Sequence, residues 1–240
     1  MKSAIVITPT TGAPVLADAA KSVLDQSYKN LDYLVVVDGP AFAAGAELAL
    51  TPFSDRNIHK LQLPFNTGAR GFYGHRIISA MGHLVNHDYI LFLDQDNWLD
   101  PSHVESLVEQ CEKKKLAWSF SLRKIFTNDM QYVCDDNCES LGVWPTYDST
   151  DNYLIDTSAY CFSREFLQTV GHLWHFGWGA DRRFSNHIRS LPSKYSCSTQ
   201  YSLNYRLGGN PDSVTREYFD FGNAVMAARH GDKFPWLVDK

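Results

Sequence analysis

Four apolar runs, over residues 4–8, 32–38, 58–63 and 89–94, each close on a cluster of small polar residues, and together they constrain the fold of this 240-residue chain more than any other feature. Helix-like patterns separate them, over 14–26, 43–50 and 72–85. Strand and helix in alternation specify a parallel sheet covered by helices, an α/β fold. The fourth run, Tyr89-Ile90-Leu91-Phe92-Leu93, is apolar throughout, so its strand is expected at the centre of the sheet, buried on both faces. Pro101 opens a further helix with Asp100 as its cap. Past Leu116 the character changes: residues 124–151 carry short strand patterns, turns rich in Asp, Asn and Cys, and isolated aromatics. Helices are then expected over 164–170, from near Asp181, and over 216–230, with a late strand over 198–206. The length suits one domain with a substantial core.

Ligands of open α/β sheets bind beyond the carboxyl ends of the strands, which directs attention to the residues that follow each apolar run. These are Thr8-Pro9-Thr10-Thr11-Gly12, Asp38-Gly39-Pro40, Asn66-Thr67-Gly68 and Asp94-Gln95-Asp96-Asn97. In the last, two carboxylates at the end of a buried strand repel each other unless a cation or hydrogen bonds compensate. A hard divalent ion such as Mg²⁺ or Mn²⁺, sharing its oxygen ligands with a diphosphate, meets that need. An Asp-x-Asp in isolation is equally a turn before Pro101.

The motifs in sequence resemble the GT-A glycosyltransferases of the large inverting family 2. The residues that carry the resemblance are Ile5-Val6-Ile7-Thr8-Pro9-Thr10, Ser22 to Asn30, Leu34-Val35-Val36-Val37-Asp38-Gly39, Asn66-x-Gly68 and Tyr89 to Asp96, spread over the first hundred positions. The resemblance implies a GT-A fold, with a Rossmann-like nucleotide-sugar half over about 1–100 and a mixed-sheet acceptor half over about 101–240. It also implies transfer of a sugar from a nucleotide-sugar donor, UDP-linked by the family's common usage, to an acceptor hydroxyl such as that of a glycan. In that scheme Thr8, Pro9 and Thr10 border the nucleoside and Asp38 contacts base or ribose, with Asn66 and Gly68 alongside. Asp94 and Asp96 serve ribose and the metal-bound diphosphate, Asp96 being the direct ligand of Mn²⁺ or Mg²⁺. Two acidic residues often precede the glycine of the second strand in the family, whereas here Val37 precedes Asp38.

Downstream, His175-Phe176-Gly177-Trp178-Gly179-Ala180-Asp181 is similar to the family's aromatic, glycine-rich loop, which ends in the acidic catalytic position, here Asp181. The family's frequent Glu-Asp is Ala180-Asp181 in this chain. Asp156 corresponds to a segment that contacts sugar hydroxyls, and Trp178 is the preferred platform for a sugar ring, ahead of Trp174 and Trp144. A histidine often completes the family's metal site late in the chain; none stands there, so Asn210 or water takes its place, and Arg206, whose planar fork suits phosphate oxygens, is expected to face the diphosphate.

Other classes find less support. A net charge of −5 without a basic stripe beyond Lys113-Lys114-Lys115 gives nucleic acid little to bind. No run reaches membrane-spanning length, the N-terminal apolar run is too short for a secretion signal, and five irregularly spaced cysteines point to a reducing, cytosolic setting. Cys134 and Cys138 lack a second Cys or His pair for zinc, and His75, His83 and His87 read as a partly exposed helix face. A nucleotidyltransferase would carry a basic, glycine-rich loop after the first strand, which residues 8–14 lack. A retaining transferase of the same fold and a non-catalytic sugar-binding module remain as alternatives.

Overall fold

The computed structural model describes residues 1–208, 214–231 and 233–238. The expected alternation occupies the first half: β1 (Ala4–Thr10), α1 (Leu16–Leu24), β2 (Leu31–Val37), α2 (Ala43–Leu50), β3 (His59–Gln62), α3 (His75–Met81) and β4 (Tyr89–Phe92). Then come β5 (Trp98–Leu99), α4 (His103–Lys114), β6 (Trp118–Phe126), β7 (Tyr132–Asp135), β8 (Tyr160–Ser163), α5 (Arg164–Val170), α6 (Ala180–Arg189), β9 (Tyr195–Arg206) and α7 (Arg216–His230).

Among the described residues nine strands form one sheet in the order β3-β2-β1-β4-β8-β6-β9-β5, with β7 paired to β6. Strands β1 to β4 are mutually parallel where they pair, and β8 runs antiparallel to both β4 and β6. The apolar run of β4 lies between β1 and β8 and is wholly buried, as a both-faces-covered strand requires. By contrast β3 is an edge strand whose four residues are all exposed. A second, smaller cluster of buried residues, including Leu122, Ile125, Phe219, Met226 and Trp236, packs α7 against the far part of the sheet. Among the described residues no helix is long and apolar enough to cross a membrane.

Three local expectations are corrected. The helix expected over 72–85 spans only His75–Met81: Tyr73 adopts left-handed backbone (φ 50°), which delays its start, and it ends at Met81 before Gly82. Asp100 does not cap α4. Its carboxylate instead accepts from Lys124 Nζ (2.7 Å) and Asn204 Nδ2 (2.9 Å), tying the start of that helix to β6 and β9. The region after Leu116, expected to hold short strands and turns from residue 124, begins with the nine-residue β6.

Candidate active site

The carboxyl ends of β1, β2 and β4 open onto a cleft of about 480 Å³ whose opposite wall comes from β6, the 136–156 segment, the 174–182 loop and β9. Pro9, Thr10, Asp38, Asp94, Asp96, Asp156, Trp178 and Asp181 all line it, so residues scattered over 170 positions of sequence are gathered as expected.

On the side of the parallel strands, the middle residue of the Asp94-Gln95-Asp96 turn locks two strand ends together. Gln95 Oε1 accepts from Thr10 Oγ1 (2.6 Å) and the Thr11 N–H (3.1 Å), and its Nε2 donates to Thr11 Oγ1 (3.0 Å). The Asp94 N–H donates to Ser158 Oγ (3.0 Å), which fixes the turn against the other half. Both aspartates are held above the usual carboxylate range, Asp94 by burial and by the negative charges of Asp96, Asp156 and Asp181, Asp96 by burial and Asp156 against the pull of its own backbone N–H and Arg206. Asp38 is turned to loop-building: its carboxylate accepts from the Thr67 N–H and Oγ1 (both 2.7 Å) and from the Gly68 N–H (2.7 Å). Gly68 is required there, since a Cβ would lie 2.2 Å from the Tyr73 carbonyl oxygen and 2.9 Å from Asp38 Oδ2.

Four expected nucleotide contacts, Thr8, Asn66, Gly68 and Arg206, do not line the cleft. Thr8 is fully buried within β1, and its hydroxyl accepts from Tyr33 Oη (3.2 Å). Asn66 lies on the exposed loop and does not line the cleft. Arg206, 3% exposed, spends its fork elsewhere: Nε donates to the Asp96 carbonyl (2.9 Å), Nη1 to the Asn128 carbonyl (2.6 Å) and Nη2 to Asp18 (2.6 Å). It braces the Asp96 backbone from behind. Asn210 lies outside the described residues.

On the other side, Arg123 of β6 organises the wall. Its Nε pairs with Asp136 (2.8 Å), Nη1 with Asp156 (2.7 Å) and Nη2 with Glu139, and the guanidinium lies 4.5 Å from the Tyr205 ring centre. Glu139 also takes Arg182 Nη2 and Tyr218 Oη (3.2 Å). Asp156 is thus ion-paired, and its other oxygen accepts from the Ser158 N–H (2.9 Å). Sequence reasoning missed Arg123, Glu139, Arg182 and His75. The available signal was the Arg123-Lys124 pair in the otherwise apolar and small-residue run of β6, followed by the acid-rich Asp135-Asp136-Asn137-Cys138-Glu139.

Asp181 stands in the first turn of α6. It does not cap that helix; the cap position belongs to Gly179, whose left-handed backbone (φ 76°) turns the chain inward. Its carboxylate accepts from the Arg182 N–H (2.7 Å), and among the described residues no cationic side chain forms an ion pair with it. Burial raises its pKa and the charge of Asp156 adds to this, outweighing the lowering by Arg182 and His75. Trp178 stands at the rim, 73% exposed, whereas Trp174 is core, stacked on Phe184 at 4.3 Å, and Trp144 packs against Trp236.

The donor set suits a hard cation only in part: among the described residues no three His, Cys, Asp or Glu side chains form a metal-holding cluster. Two carboxylates whose mutual charge is uncompensated fit an ion that draws its remaining ligands from phosphate oxygens and water.

A family model described as "Glycosyl transferase family 2" matches residues 3–164, more than half of the chain. No curated protein sequence matches significantly. Among solved structures, S. aureus TarS 1-349 in complex with UDP superposes with a TM-score of 0.62 at 12% identity, covering 97% of this chain and 66% of that one. The same protein in complex with UDP-GlcNAc gives 0.64 at 12% identity, over 97% and 67%. Its uncomplexed 1-349 form gives 0.62 at 14%, over 95% and 71%. The chain therefore spans about two thirds of the length of these TarS chains, and at such identities the likeness is one of fold, the GT-A architecture that the motifs imply.

Proposed function

Because the chain belongs to glycosyl transferase family 2, we propose that it moves a sugar from a UDP-linked donor to an acceptor hydroxyl with inversion at the anomeric carbon. The observation that carries the catalytic reading is the unequal treatment of the cleft carboxylates. Asp156 and Glu139 are ion-paired and Asp38 is occupied by its loop, while Asp181 lacks a cationic partner among the described residues. A base must be free to take a proton, and Asp181 is the acceptor-side carboxylate that is. The hydroxyl oxygen attacks the anomeric carbon in line with the departing diphosphate while its proton passes to Asp181; the glycosidic C–O bond breaks and its electron pair leaves on the β-phosphate oxygen. No covalent intermediate is required.

Asp96, with Asp94, would hold Mg²⁺ or Mn²⁺ together with the diphosphate oxygens, and the ion would supply charge neutralisation for the leaving group. Pro9, Thr10 and Asp38 would border the nucleoside, and Asp156, held by Arg123, would offer its carboxylate to sugar hydroxyls. UDP and UDP-GlcNAc in the structurally similar TarS support the uridine donor. Competition titration of UDP, GDP and ADP with Mn²⁺, read by thermal shift, tests this: UDP is expected to bind best, and tighter binding of GDP or ADP overturns the donor assignment.

A further inference from the structure

His75, at the first position of α3, lines the cleft but has no part in the mechanism above. Its Nδ1 lies 2.8 Å from the Phe176 carbonyl oxygen. A carbonyl only accepts, so Nδ1 carries the hydrogen and the neutral ring keeps its lone pair on Nε2. Burial pushes this imidazole below its ordinary pKa, against the opposing pull of Phe176 and Asp181, which keeps the ring neutral near pH 7. Among the described residues nothing bonds Nε2. The ring is fixed in orientation, with Trp174 at 5.9 Å and Tyr73 edge-on at 5.7 Å.

The place of this lone pair gives it a use. Phe176 belongs to the same loop as Trp178 and leads into Asp181, which lies near enough to His75 to influence its titration. Around it, the fork of Arg123 is spent on three carboxylates, and Arg182 is tied to Glu139 with its Nη1 enclosed by protein. An anionic acceptor would meet carboxylates and a neutral imidazole here, whereas a hydroxyl finds an acceptor atom ready for its hydrogen.

We propose that His75 orients the acceptor, its Nε2 accepting a hydrogen bond from a hydroxyl of a neutral, polyhydroxylated acceptor seated against Trp178 beside Asp181. This rests on the reading of the cleft as a nucleotide-sugar-dependent transferase site. Two variants separate the ring nitrogens: His75→Asn keeps an N–H donor near the Nδ1 position and loses Nε2, while His75→Gln places an amide group near Nε2.

Wild type and both variants, with UDP and Mn²⁺, are applied to a glycan array of neutral and anionic oligosaccharides, and UDP binding is followed separately by thermal shift. The expected results are retention of neutral glycans by wild type, retention weakened about three- to tenfold in His75→Asn, the effect of losing one hydrogen bond, partial recovery in His75→Gln, and equal UDP shifts in all three. Preference of wild type for anionic glycans, retention of none, or undiminished retention by His75→Asn overturns the proposal. Loss of the UDP shift in His75→Asn alone moves His75 to the donor side and also overturns it. A wild type that shows no UDP shift overturns the transferase reading itself. Should His75→Asn fail to fold, the wild-type preference for neutral over anionic glycans still decides.

Discussion

Replacing Arg123 with Met strikes the residue on which the wall opposite the parallel strands depends. The side chain is 3% exposed, and its partners Asp136, Glu139 and Asp156 are 0%, 4% and 7% exposed, so none can turn to water when the cation is gone. Compensation is partial: Asp136 retains the N–H groups of Cys138, Glu139 and Ser140, Glu139 retains Arg182 and Tyr218, and Asp156 retains the Ser158 N–H. Removing one member of a buried ion pair costs about 3–5 kcal/mol, and at about 2–4 °C per kcal/mol for a chain of this size the melting temperature should fall by roughly 6–20 °C. The loss has a pH signature. Burial alone would raise Asp136, but Arg123 and the N–H groups of Ser140 and Cys138 outweigh it and hold the carboxyl below its ordinary value. A depressed native pKa contributes stability above the unfolded value of about 3.9, and that contribution is lost as pH falls through the native value. In Arg123→Met the Asp136 carboxyl should bind protons more readily, so the deficit against wild type is greatest near pH 7 and narrows on acidification. Differential scanning calorimetry at pH 7 and pH 4.5 measures both. A drop under about 2 °C, or a deficit that does not change with pH, refutes the claim that charge pairing by Arg123 holds this wall. Arg123→Lys should rescue little, since one ammonium on a flexible stem cannot serve three carboxylates in fixed directions.

Asp181→Asn should lower transfer turnover by about two to four orders of magnitude with nucleotide affinity nearly unchanged; near-normal turnover would pass the base role to another carboxylate, Asp156 first. Because burial raises Asp181 and a base must be ionised, the acid limb of kcat against pH should lie above the ordinary carboxylate range, and a limb at or below about pH 4 would contradict the assignment. Asp96→Ala should abolish the Mn²⁺-dependent part of the UDP thermal shift while the unliganded melting temperature stays within about 2 °C of wild type. Equal shifts in the two proteins would remove Asp96 from the metal site.

The parallel half was legible because its evidence is local: an apolar run marks β4 as central whatever surrounds it, and the polar residues after each run mark the strand ends. Asp94 and Asp96 were placed on the same kind of evidence, whereas Asp156, Trp178 and Asp181 were expected from resemblance to segments of the family; all five line the cleft. What failed depended on partners remote in sequence. Arg206 reads as a phosphate ligand by residue type alone, and only the folded chain shows it spent on Asp18, 188 positions away, and on two carbonyls. Thr8 misled because it lies two residues short of the end of β1: it shares a sheet face with Thr10 but is buried against Tyr33, while Pro9 and Thr10, nearer the carboxyl end, line the cleft. β6 was obscured because Ser119, Ser121 and Arg123 occupy one side of a strand buried on both, which breaks up the apolar run that otherwise marks a buried strand. His75 was read as one of a helical set with His83 and His87, yet α3 ends at Met81 and the other two lie beyond it.

The same contrast explains how a crowded set of carboxylates comes to do different work. A buried carboxylate needs a cation or several N–H groups to answer its charge, and in this cleft the answers are unevenly distributed. Glu139 and Asp156 face Arg123 across β6, and Glu139 also has Arg182, so they are committed to holding the wall in shape. A further large cation, Arg206, meets the Asp94-Gln95-Asp96 turn through the Asp96 carbonyl and gives its remaining donors to Asn128 and Asp18. The turn is therefore rigid while its two carboxylates stay under-neutralised, which is the condition for drawing a divalent ion and its diphosphate from solution. Asp181 is left under-neutralised across the cleft from the same design, with His75 beside it as a neutral ring that neither pairs with it nor adds repulsion. Placing arginines behind these carboxylates rather than against them fixes positions without cancelling the charge that the roles proposed for Asp94, Asp96 and Asp181 need.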